Sequence, residues 1–410
     1  MNKSVVITGI GMIIPGAEGK DDAWKFLRSG KGALKKLTRF KSNSNGWFAG
    51  EVDNFNPDEH ISKRLSRKID RFSQLALASA GLAIEDASLD LASTDRNRVG
   101  VFVGNCFGGW EFTDRELRNL HTQGVREVSP FQATAWFPAA PQGQITIVHD
   151  LHGFSKTIVA DRASGLASIA GAFDAIKTGR CDVVIAGGTE AQITPFAYTA
   201  CVTEGLLAMG TPQHSAGASY RPFDRSANGL IPGEGAVFLV IEEKSHAQRR
   251  NARIYAEIRG TSTTNDACFP NILPVEERGL SRAMCNALKD SNLLADEIDF
   301  LVADAIGTRQ GDLQEVQAIQ KVFGSGNTLR VTTPKPSVGH LYGAAGALDV
   351  AVAALALHEK SVPPISNINR RQCDCDLNLV EELEYGESIE AAMVNARGTG
   401  GINVSMVLSG

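Results

Sequence analysis

Short runs of apolar and β-branched residues recur along the whole chain, and each has about the length of one strand. They occupy residues 5–10, 99–103, 182–186, 236–241 and 298–303. Runs of this kind, without polar alternation, are typical of strands that helices cover on both faces. Gly9 and Gly11 predict that the first strand ends in a turn at these residues.

Between these runs lie segments whose apolar residues recur at spacings of three and four, which predicts helices. The segments occupy residues 72–87, 165–178, 283–288 and 348–357. Strand and helix patterns alternate along all 410 residues, so the sequence predicts an α/β fold. The charged stretch 242–253 is the best boundary candidate, and we expect two similar halves, residues 1–245 and 246–410.

The composition disfavours several classes of protein. A formal net charge of −5 argues against a general nucleic-acid surface. No stretch approaches about 18 apolar residues, and the N-terminus enters a strand pattern without a cleavage site, so we expect a cytoplasmic protein that does not bind membranes. The seven cysteines are scattered, with Cys373 and Cys375 as the closest pair, so no metal site is expected.

Four separated segments carry a more specific signal than any single glycine motif. They are residues 161–165, 221–235, 335–346 and 398–403. Together they resemble the β-ketoacyl synthase family of the thiolase-like superfamily, and the resemblance extends over essentially the whole chain. It implies a five-layered α/β/α/β/α fold that is built from two pseudo-duplicated halves and assembled as a dimer.

Active members of this family use one cysteine and two histidines, and this chain departs from the pattern at two of these positions. Arg162 occupies the nucleophile position in the turn Ala-Asp-Arg-Ala-Ser-Gly, and a guanidinium has no lone pair for acylation. Ile306 replaces the first histidine, in Asp-Ala-Ile-Gly-Thr where the family has Asn-Ala-His-Gly-Thr. His340 matches the second histidine and Lys335 the lysine of its motif, and we interpret both as inherited structure. No catalytic residue is therefore predicted.

The glycine-rich loop near the C-terminus also departs from the family pattern. In the family it reads Gly-Phe-Gly-Gly-Thr-Asn, and the phenylalanine acts as a gate. Here Thr399 replaces the phenylalanine and Ile402 replaces the threonine. Because the glycines remain, we expect the turn to persist without its gating aromatic.

An arginine at the start of a helix is on the unfavourable side of the helix dipole, and a buried guanidinium needs partners. We therefore expect Asp161, another acidic side chain or several carbonyl groups to engage Arg162. Ser164 and Cys106 are possible replacement nucleophiles. Capping of the following helix explains Ser164 well enough, and we assign catalysis to neither residue.

Residues 110–117, followed by 135–137 and 143–147, resemble the chain length factor, the ketosynthase β subunit of bacterial type II aromatic polyketide synthases. Trp110, Thr113 and Leu117 occur at i, i+3 and i+7, so they share one face of a predicted helix. In that family these positions line the tunnel that sets the length of the polyketide chain. An ordinary buried stripe is the alternative interpretation.

The resemblance implies partners for this chain but no cofactor of its own. The partners are a ketosynthase α subunit, which forms the heterodimer, and an acyl carrier protein with a malonyl or polyketide chain on phosphopantetheine. That arm is expected to enter the active partner. Poly-β-ketone synthesis would make the pair part of antibiotic biosynthesis.

Two alternatives remain open from the sequence. One is the equivalent subunit of a polyene-type or fatty-acid-like type II synthase. It would have the same role as the chain length factor, but in a pathway that reduces and dehydrates the chain after each condensation. The other is a malonyl-carrier-protein decarboxylase or acyltransferase that works alone. Related decarboxylating ketosynthases rely on both histidines, so Ile306 disfavours the second alternative.

Overall fold

The computed structural model describes residues 3–41, 46–209, 219–268, 279–326, 328–368 and 375–410. Cys373, one member of the close cysteine pair, lies outside these residues. Within the described ranges, no group of three or more His, Cys, Asp or Glu side chains is arranged to hold a metal ion. No helix in the same part of the chain is long and apolar enough to cross a membrane.

The strands are β1 (Val5–Ile14), β2 (Ala17–Glu18), β3 (Lys35–Lys36), β4 (Phe48–Ala49), β5 (Val99–Gly104), β6 (Lys156–Ile158), β7 (Val183–Glu190), β8 (Gly235–Glu243), β9 (Ala256–Asn265), β10 (Phe300–Val302), β11 (Arg330–Thr332), β12 (Ser361–Val362), β13 (Asn378–Leu379), β14 (Glu384–Tyr385), β15 (Ala391–Gly398) and β16 (Ile402–Ser409).

The α-helices are α1 (Lys20–Arg28), α2 (Lys63–Ser66), α3 (Arg71–Asp86), α4 (Trp110–Gln123), α5 (Gln132–Ala135), α6 (Ala140–His149), α7 (Ser164–Lys177), α8 (Pro195–Glu204), α9 (Lys244–Arg249), α10 (Gly279–Ser291), α11 (Arg309–Phe323), α12 (Lys335–Val338) and α13 (Ala345–His358). Short 3₁₀ helices lie at Pro57–Glu59, Arg96–Arg98, Val125–Glu127, Ala295–Glu297 and Tyr342–Ala344.

Hydrogen bonds join most of the strands into one path that has the same order in both halves. The first half runs β6-β5-β7-β8-β1, and the second runs β11-β10-β15-β16-β9, with β13 added beside β11. In each half the second strand of this order, β5 or β10, is parallel to both neighbours. In each half the penultimate strand, β8 or β16, is antiparallel to both neighbours. This repeated order confirms the expected pseudo-duplicated fold.

Helices form three layers around the two halves of the sheet. Helices α7 and α13 contact each other and contact strands of both halves, so they form the central layer. Helix α3 covers β1, β8 and β7 from the outside, and α10 covers β9 and β16. Every residue of α13 from Ala345 to Leu357 is buried, because this helix is covered on all sides. The result is the predicted α/β/α/β/α arrangement.

The first strand does not end at Gly9 and Gly11, as the sequence suggested, but continues to Ile14. These positions need glycine for close packing. A Cβ atom on Gly9 would lie 2.2 Å from the carbonyl oxygen of Ala83, and one on Gly11 would lie 2.0 Å from that of Ser79. Both carbonyl groups belong to α3, so this helix packs directly on β1.

The other predicted elements are confirmed with small shifts at their ends. The larger shifts extend an element, as in the predicted helix 283–288, which covers Gly279–Ser291. The run 298–303 instead shortens to the strand Phe300–Val302. The amide of Ile298 donates to the carbonyl oxygen of Ala295 and so closes the preceding 3₁₀ turn. The division between residues 245 and 246 falls inside α9, and it stays a proposal.

Candidate functional site

Arg162 lies in the turn that connects β6 to α7. Asp161 precedes it with a φ of 52°, in the left-handed region, and α7 begins two residues after Arg162 at Ser164. The Ser164 hydroxyl accepts from the amide of Ala160 at 2.8 Å and lies 2.6 Å from the carbonyl oxygen of Asp161. This hydroxyl therefore holds the turn together. Arg162 itself is buried, with 6% of its surface exposed.

Two carboxylates engage the Arg162 guanidinium, as the sequence analysis expected of a buried arginine. Its Nη1 atom lies 2.9 Å from Oε1 of Glu204 and 3.3 Å from Oδ2 of Asp161. Burial lowers the pKa of Arg162, but the two carboxylates outweigh it, so the net pKa lies above its ordinary value. Burial raises the pKa of Asp161, whereas the charge of Arg162 and the amide of Thr399 lower it to about 2. Arg162 and Asp161 are therefore both charged at neutral pH.

Thr399 joins the loop between β15 and β16 to the same charges. Its amide donates to Oδ2 of Asp161 at 2.6 Å, and its hydroxyl donates to Oε1 of Glu204 at 3.2 Å. The turn persists, as expected, with Gly400 and Gly401 at φ values of 84° and 85°. At the position of the family's gating phenylalanine there is thus a polar side chain bonded to the arginine's partners. Ile402 begins β16 and packs on the main core.

Cys106 lies next to this network but is poorly suited to act as a nucleophile. Its Sγ atom donates to Oδ1 of Asp161 at 3.2 Å. Burial, followed by the negative charge of Asp161, raises its pKa well above the ordinary value. Because the thiolate is the reactive form, a thiol held protonated is inert.

Ile306 lies in a compact apolar cluster. It is buried with Tyr198, Cys201 and Tyr342, among other residues. The loop that carries Ile306 is bonded to helix α11, because the amides of Asp304 and Ala305 each donate to Glu315 at 2.8 Å. This position therefore offers no proton and no polar contact to a carboxylate or an enolate.

His340 is completely buried and neutral. Its Nδ1 atom accepts from the amide of Tyr342 at 3.0 Å, and its Nε2 atom has no hydrogen-bond partner among the described residues. Burial and then the charge of Lys335 lower the pKa of His340 to about 3. An imidazole with such a pKa does not take up a proton near neutral pH.

Lys335 forms a buried ion pair. Its Nζ atom lies 2.6 Å from Oδ2 of Asp349 and donates to the carbonyl oxygen of Ala303 at 3.0 Å. Asp349 projects from α13, so the pair ties α12 to the central layer. This geometry fits a structural role for Lys335, and the interpretation of Lys335 and His340 as inherited structure stays a prediction.

Trp110, Thr113 and Leu117 lie on helix α4, as predicted. The Trp110 ring stacks on Phe196 of α8, with centroids 4.5 Å apart and an angle of 18° between planes. Thr113 donates to the carbonyl oxygen of Gly109 at 2.7 Å and accepts from Gln132 of α5 at 3.0 Å. Their face is not an ordinary buried stripe, because Leu117 is 39% exposed.

Large apolar residues that are substantially exposed in the single chain recur between residues 117 and 196, on and after helix α4, and we call this set the apolar face. They are Leu117, Leu120, Val125, Phe131, Trp136, Phe137, Ile147, Val148, Val159 and Phe196. They come from α4, α6, α8 and the segments between these helices, and Val159 follows β6, the outermost strand of the first half. Exposed apolar surface concentrated in this way is typical of a binding interface.

Sequence reasoning missed two residues of these sites. Glu204 ends α8 without any surrounding motif, and its contact with Arg162 spans 42 residues of sequence. Phe196 follows the proline that begins the same helix. Only the general expectation of an acidic partner pointed towards Glu204, and no sequence signal pointed to Phe196.

Comparisons with known proteins agree with this arrangement. Residues 2–247 match the family described as Beta-ketoacyl synthase, N-terminal domain, and residues 255–369 match Beta-ketoacyl synthase, C-terminal domain. The chain is 36% identical over 408 residues to 3-oxoacyl-[acyl-carrier-protein] synthase 2 of Staphylococcus aureus (strain COL), which covers 99% of this chain and 98% of the relative.

Two solved structures have the same fold. One is described as the ishigamide ketosynthase/chain length factor, with a TM-score of 0.91 and 28% identity over 100% of this chain and 99% of that chain. The other is a type II PKS acyl-carrier protein in complex with its ketosynthase bound to the hexaketide. It has a TM-score of 0.91, and at 24% identity over the full length of both chains it shows the fold alone.

Proposed function

The chain belongs to the β-ketoacyl synthase family, and we propose that within it the chain is a non-catalytic chain length factor of a type II polyketide synthase. In this role it forms a heterodimer with a ketosynthase that keeps its cysteine. The pair would extend poly-β-ketone chains from malonyl units on an acyl carrier protein, and this chain would shape the tunnel.

The observation that carries the proposal is the buried Arg162 at the nucleophile position. Its guanidinium is held by Asp161 and Glu204, so it is a fixed part of the fold. An arginine there cannot form a thioester, and Ile306 and neutral His340 supply no acid or base beside it. Condensation therefore needs a nucleophile from another chain.

The apolar face supports the assembly with a second ketosynthase-like chain. Exposed side chains such as Trp136, Phe137 and Ile147 are costly to leave in water, and an interface removes that cost. Val159 beside the edge strand β6 extends the same surface along the border of the sheet. A partner of the same fold would present a comparable border, which makes pairing between related chains favourable.

Helix α4 supports the role in chain length because it belongs to that face. Trp110 is fixed by its stacking on Phe196, and Thr113 is fixed by Gln132, so both side chains are held in defined positions. Rigid walls are needed if a cavity is to stop a growing chain at one length. We propose that Trp110, Thr113 and Leu117, together with Phe196, form this chain's share of the tunnel wall.

A catalytic synthase is the second candidate, because the curated relative from Staphylococcus aureus is named as a synthase and matches over nearly the whole chain. The residues at the site oppose this reading. Arg162 and Ile306 replace two groups that the chemistry requires, and the thiol of Cys106 is held protonated. A decarboxylase acting alone meets the same difficulty.

The test is to co-express this chain with ketosynthases that carry the active-site cysteine and to analyse both the complex and its products. We expect stable co-purification with at least one of them, and product only from the pair. Trp110→Ala removes a large ring from the proposed wall, so we expect it to lengthen the main product. Tyr385→Ala, which removes an exposed aromatic ring on β14, is the matched control and should leave the product length unchanged.

Turnover of malonyl-carrier protein by this chain alone would overturn the proposal, as would product of unchanged length with Trp110→Ala in every active pairing. The nature of the product separates the remaining alternative. Unreduced poly-β-ketones and their cyclised forms support the aromatic type, whereas reduced or polyene chains support the polyene-type or fatty-acid-like synthase.

A further inference from the structure

We propose that Glu204, Arg162 and Thr399 form a clamp that holds the 398–402 turn closed over the former nucleophile position. Asp161 completes the group. The consequence is that the pantetheine arm of a carrier is excluded from this chain's own degenerate site. This inference rests on the proposed function, because exclusion matters only if a partner chain performs the chemistry.

The clamp joins three segments that are distant in sequence. Arg162 comes from the β6–α7 connection, Glu204 from the last residue of α8, and Thr399 from the loop between β15 and β16. Oε1 of Glu204 accepts from both of the other residues, at 2.9 Å from Arg162 and 3.2 Å from Thr399. Asp161 also binds both, at 3.3 Å and 2.6 Å. The four groups thus form a closed ring of contacts.

Local helix energetics do not explain the charged residues of the ring. Arg162 is a cation next to the N-terminus of α7, and Glu204 is an anion at the C-terminus of α8. Each charge is on the unfavourable side of its helix dipole. Their mutual contact offsets this disadvantage, because each neutralises the other at the place where the two helix ends approach. Glu204 is therefore best understood as a positioning residue for Arg162.

The backbone of the turn leaves little space for movement on either side. A Cβ atom on Gly398 would lie 2.6 Å from the carbonyl oxygen of Ala160, directly before the arginine turn. A Cβ atom on Gly401 would lie 2.7 Å from the Cβ of Asp266. The turn thus packs closely between two segments, and the bonds of Thr399 hold it there. Opening it requires breaking charged, largely buried contacts.

Hydrogen–deuterium exchange of the purified chain, alone and in the assembled heterodimer, tests the clamp directly, because the Thr399 amide donates one of the hydrogen bonds of the ring. Glu204→Gln removes the charge and keeps the size, and we expect exchange in the 398–402 turn to rise roughly tenfold or more. Thr399→Val removes one hydroxyl bond and should give a smaller rise. Thr203→Val is the matched control, because that hydroxyl donates within α8 to the carbonyl oxygen of Ala200.

Photolabelling by a pantetheine-derived diazirine tests the exclusion itself, because a photogenerated carbene inserts without needing a thiolate. The readout is the labelled fraction of residues 398–402, and exposed Leu294 is the internal reference. We expect the ratio of turn labelling to Leu294 labelling to rise roughly tenfold in Glu204→Gln and to stay constant in Thr203→Val.

Unchanged exchange and unchanged labelling in Glu204→Gln would overturn the clamp. Co-purification and product length report on the proposed function separately. A complex that makes its normal product while Glu204→Gln has no effect on the turn would refute the clamp alone. A chain that never pairs with a ketosynthase, yet shows the expected exchange, would refute the proposed function alone.

Discussion

The site around Arg162 and the apolar face differ in how their unfavourable groups are satisfied. In the site, Arg162 pairs with Glu204 and Asp161, and Lys335 pairs with Asp349, all within the same chain. On the face, large apolar side chains such as Phe137 and Ile147 remain in water in the single chain. The charges of the site are paired within this chain, whereas under the proposed function a ketosynthase partner would cover the face. In that case the proposed loss of catalysis has left the order of the interior intact.

The strongest challenge to this comparison is Arg162→Ala, which should cost about 3–5 kcal/mol of unfolding free energy because it leaves two carboxylates without their cation. Urea unfolding of the isolated chain measures the loss. Arg96→Ala is the control, since Arg96 pairs with exposed Asp150, and a surface pair contributes at most about 1 kcal/mol. A cost for Arg162→Ala as small as that of the control would mean that the interior charges are not mutually dependent.

The pH dependence of stability sharpens the same comparison through His340. Its pKa is about 3 in the folded chain, well below its value of about 6.5 in an unfolded chain. The unfolded chain therefore binds the proton first, and stability is lost as the pH falls from about 6.5 towards 3, by at most about 1.4 kcal/mol per pH unit. His340→Asn keeps an acceptor for the Tyr342 amide but does not titrate, so its stability should fall less over this interval. Parallel curves for both proteins would show that folding does not lower the pKa of His340.

Asp70 connects α3 to helix α4, which carries part of the apolar face. Its removal should have an intermediate effect on the free energy of unfolding. Its carboxylate accepts from the amide of Phe72 at the start of α3 and from that of Phe112 at the start of α4. Asp70→Ala removes both contacts, and we expect a loss of about 2 kcal/mol in urea unfolding. Asp95→Ala, which removes the cap of a short exposed 3₁₀ turn, should cost less and serves as the control. Equal losses would show that Asp70 does not connect the two helices energetically.

The smallest effect on the isolated chain is expected on the apolar face. Phe137→Ser should change its unfolding free energy by less than about 0.5 kcal/mol, because the ring is already 53% exposed. The same variant should weaken binding to the ketosynthase partner by roughly tenfold or more, measured by titration of the purified chains. Leu294→Ser removes a side chain that is 68% exposed in the second half, and it should alter neither quantity. Unchanged affinity for Phe137→Ser would remove this residue from the interface.

The sequence predicted much of the fold because its signals are local. The strand runs and helix periods fixed most elements within a few residues, and the turn motif was enough to place Arg162 at the start of α7. Contacts between distant segments could not be predicted in the same way. Glu204 meets Arg162 only because α8 ends beside the β6–α7 connection, and Phe196 meets Trp110 only because α8 lies against α4. Gly9 and Gly11 misled the prediction because glycine serves close packing as well as turns.

Three residue pairs between β1 and β9 join the sheet of the first half to that of the second half. Val5, Val6 and Ile7 pair with Ile258, Glu257 and Ala256, and the central helices α7 and α13 contact strands of both halves. Neither half alone covers its inner helix, so a fragment of residues 1–245 would expose the side of α7 that faces α13. We expect the repeat to mark an ancestral duplication rather than two autonomous folding units. Separately produced halves should gain native structure only when they are mixed.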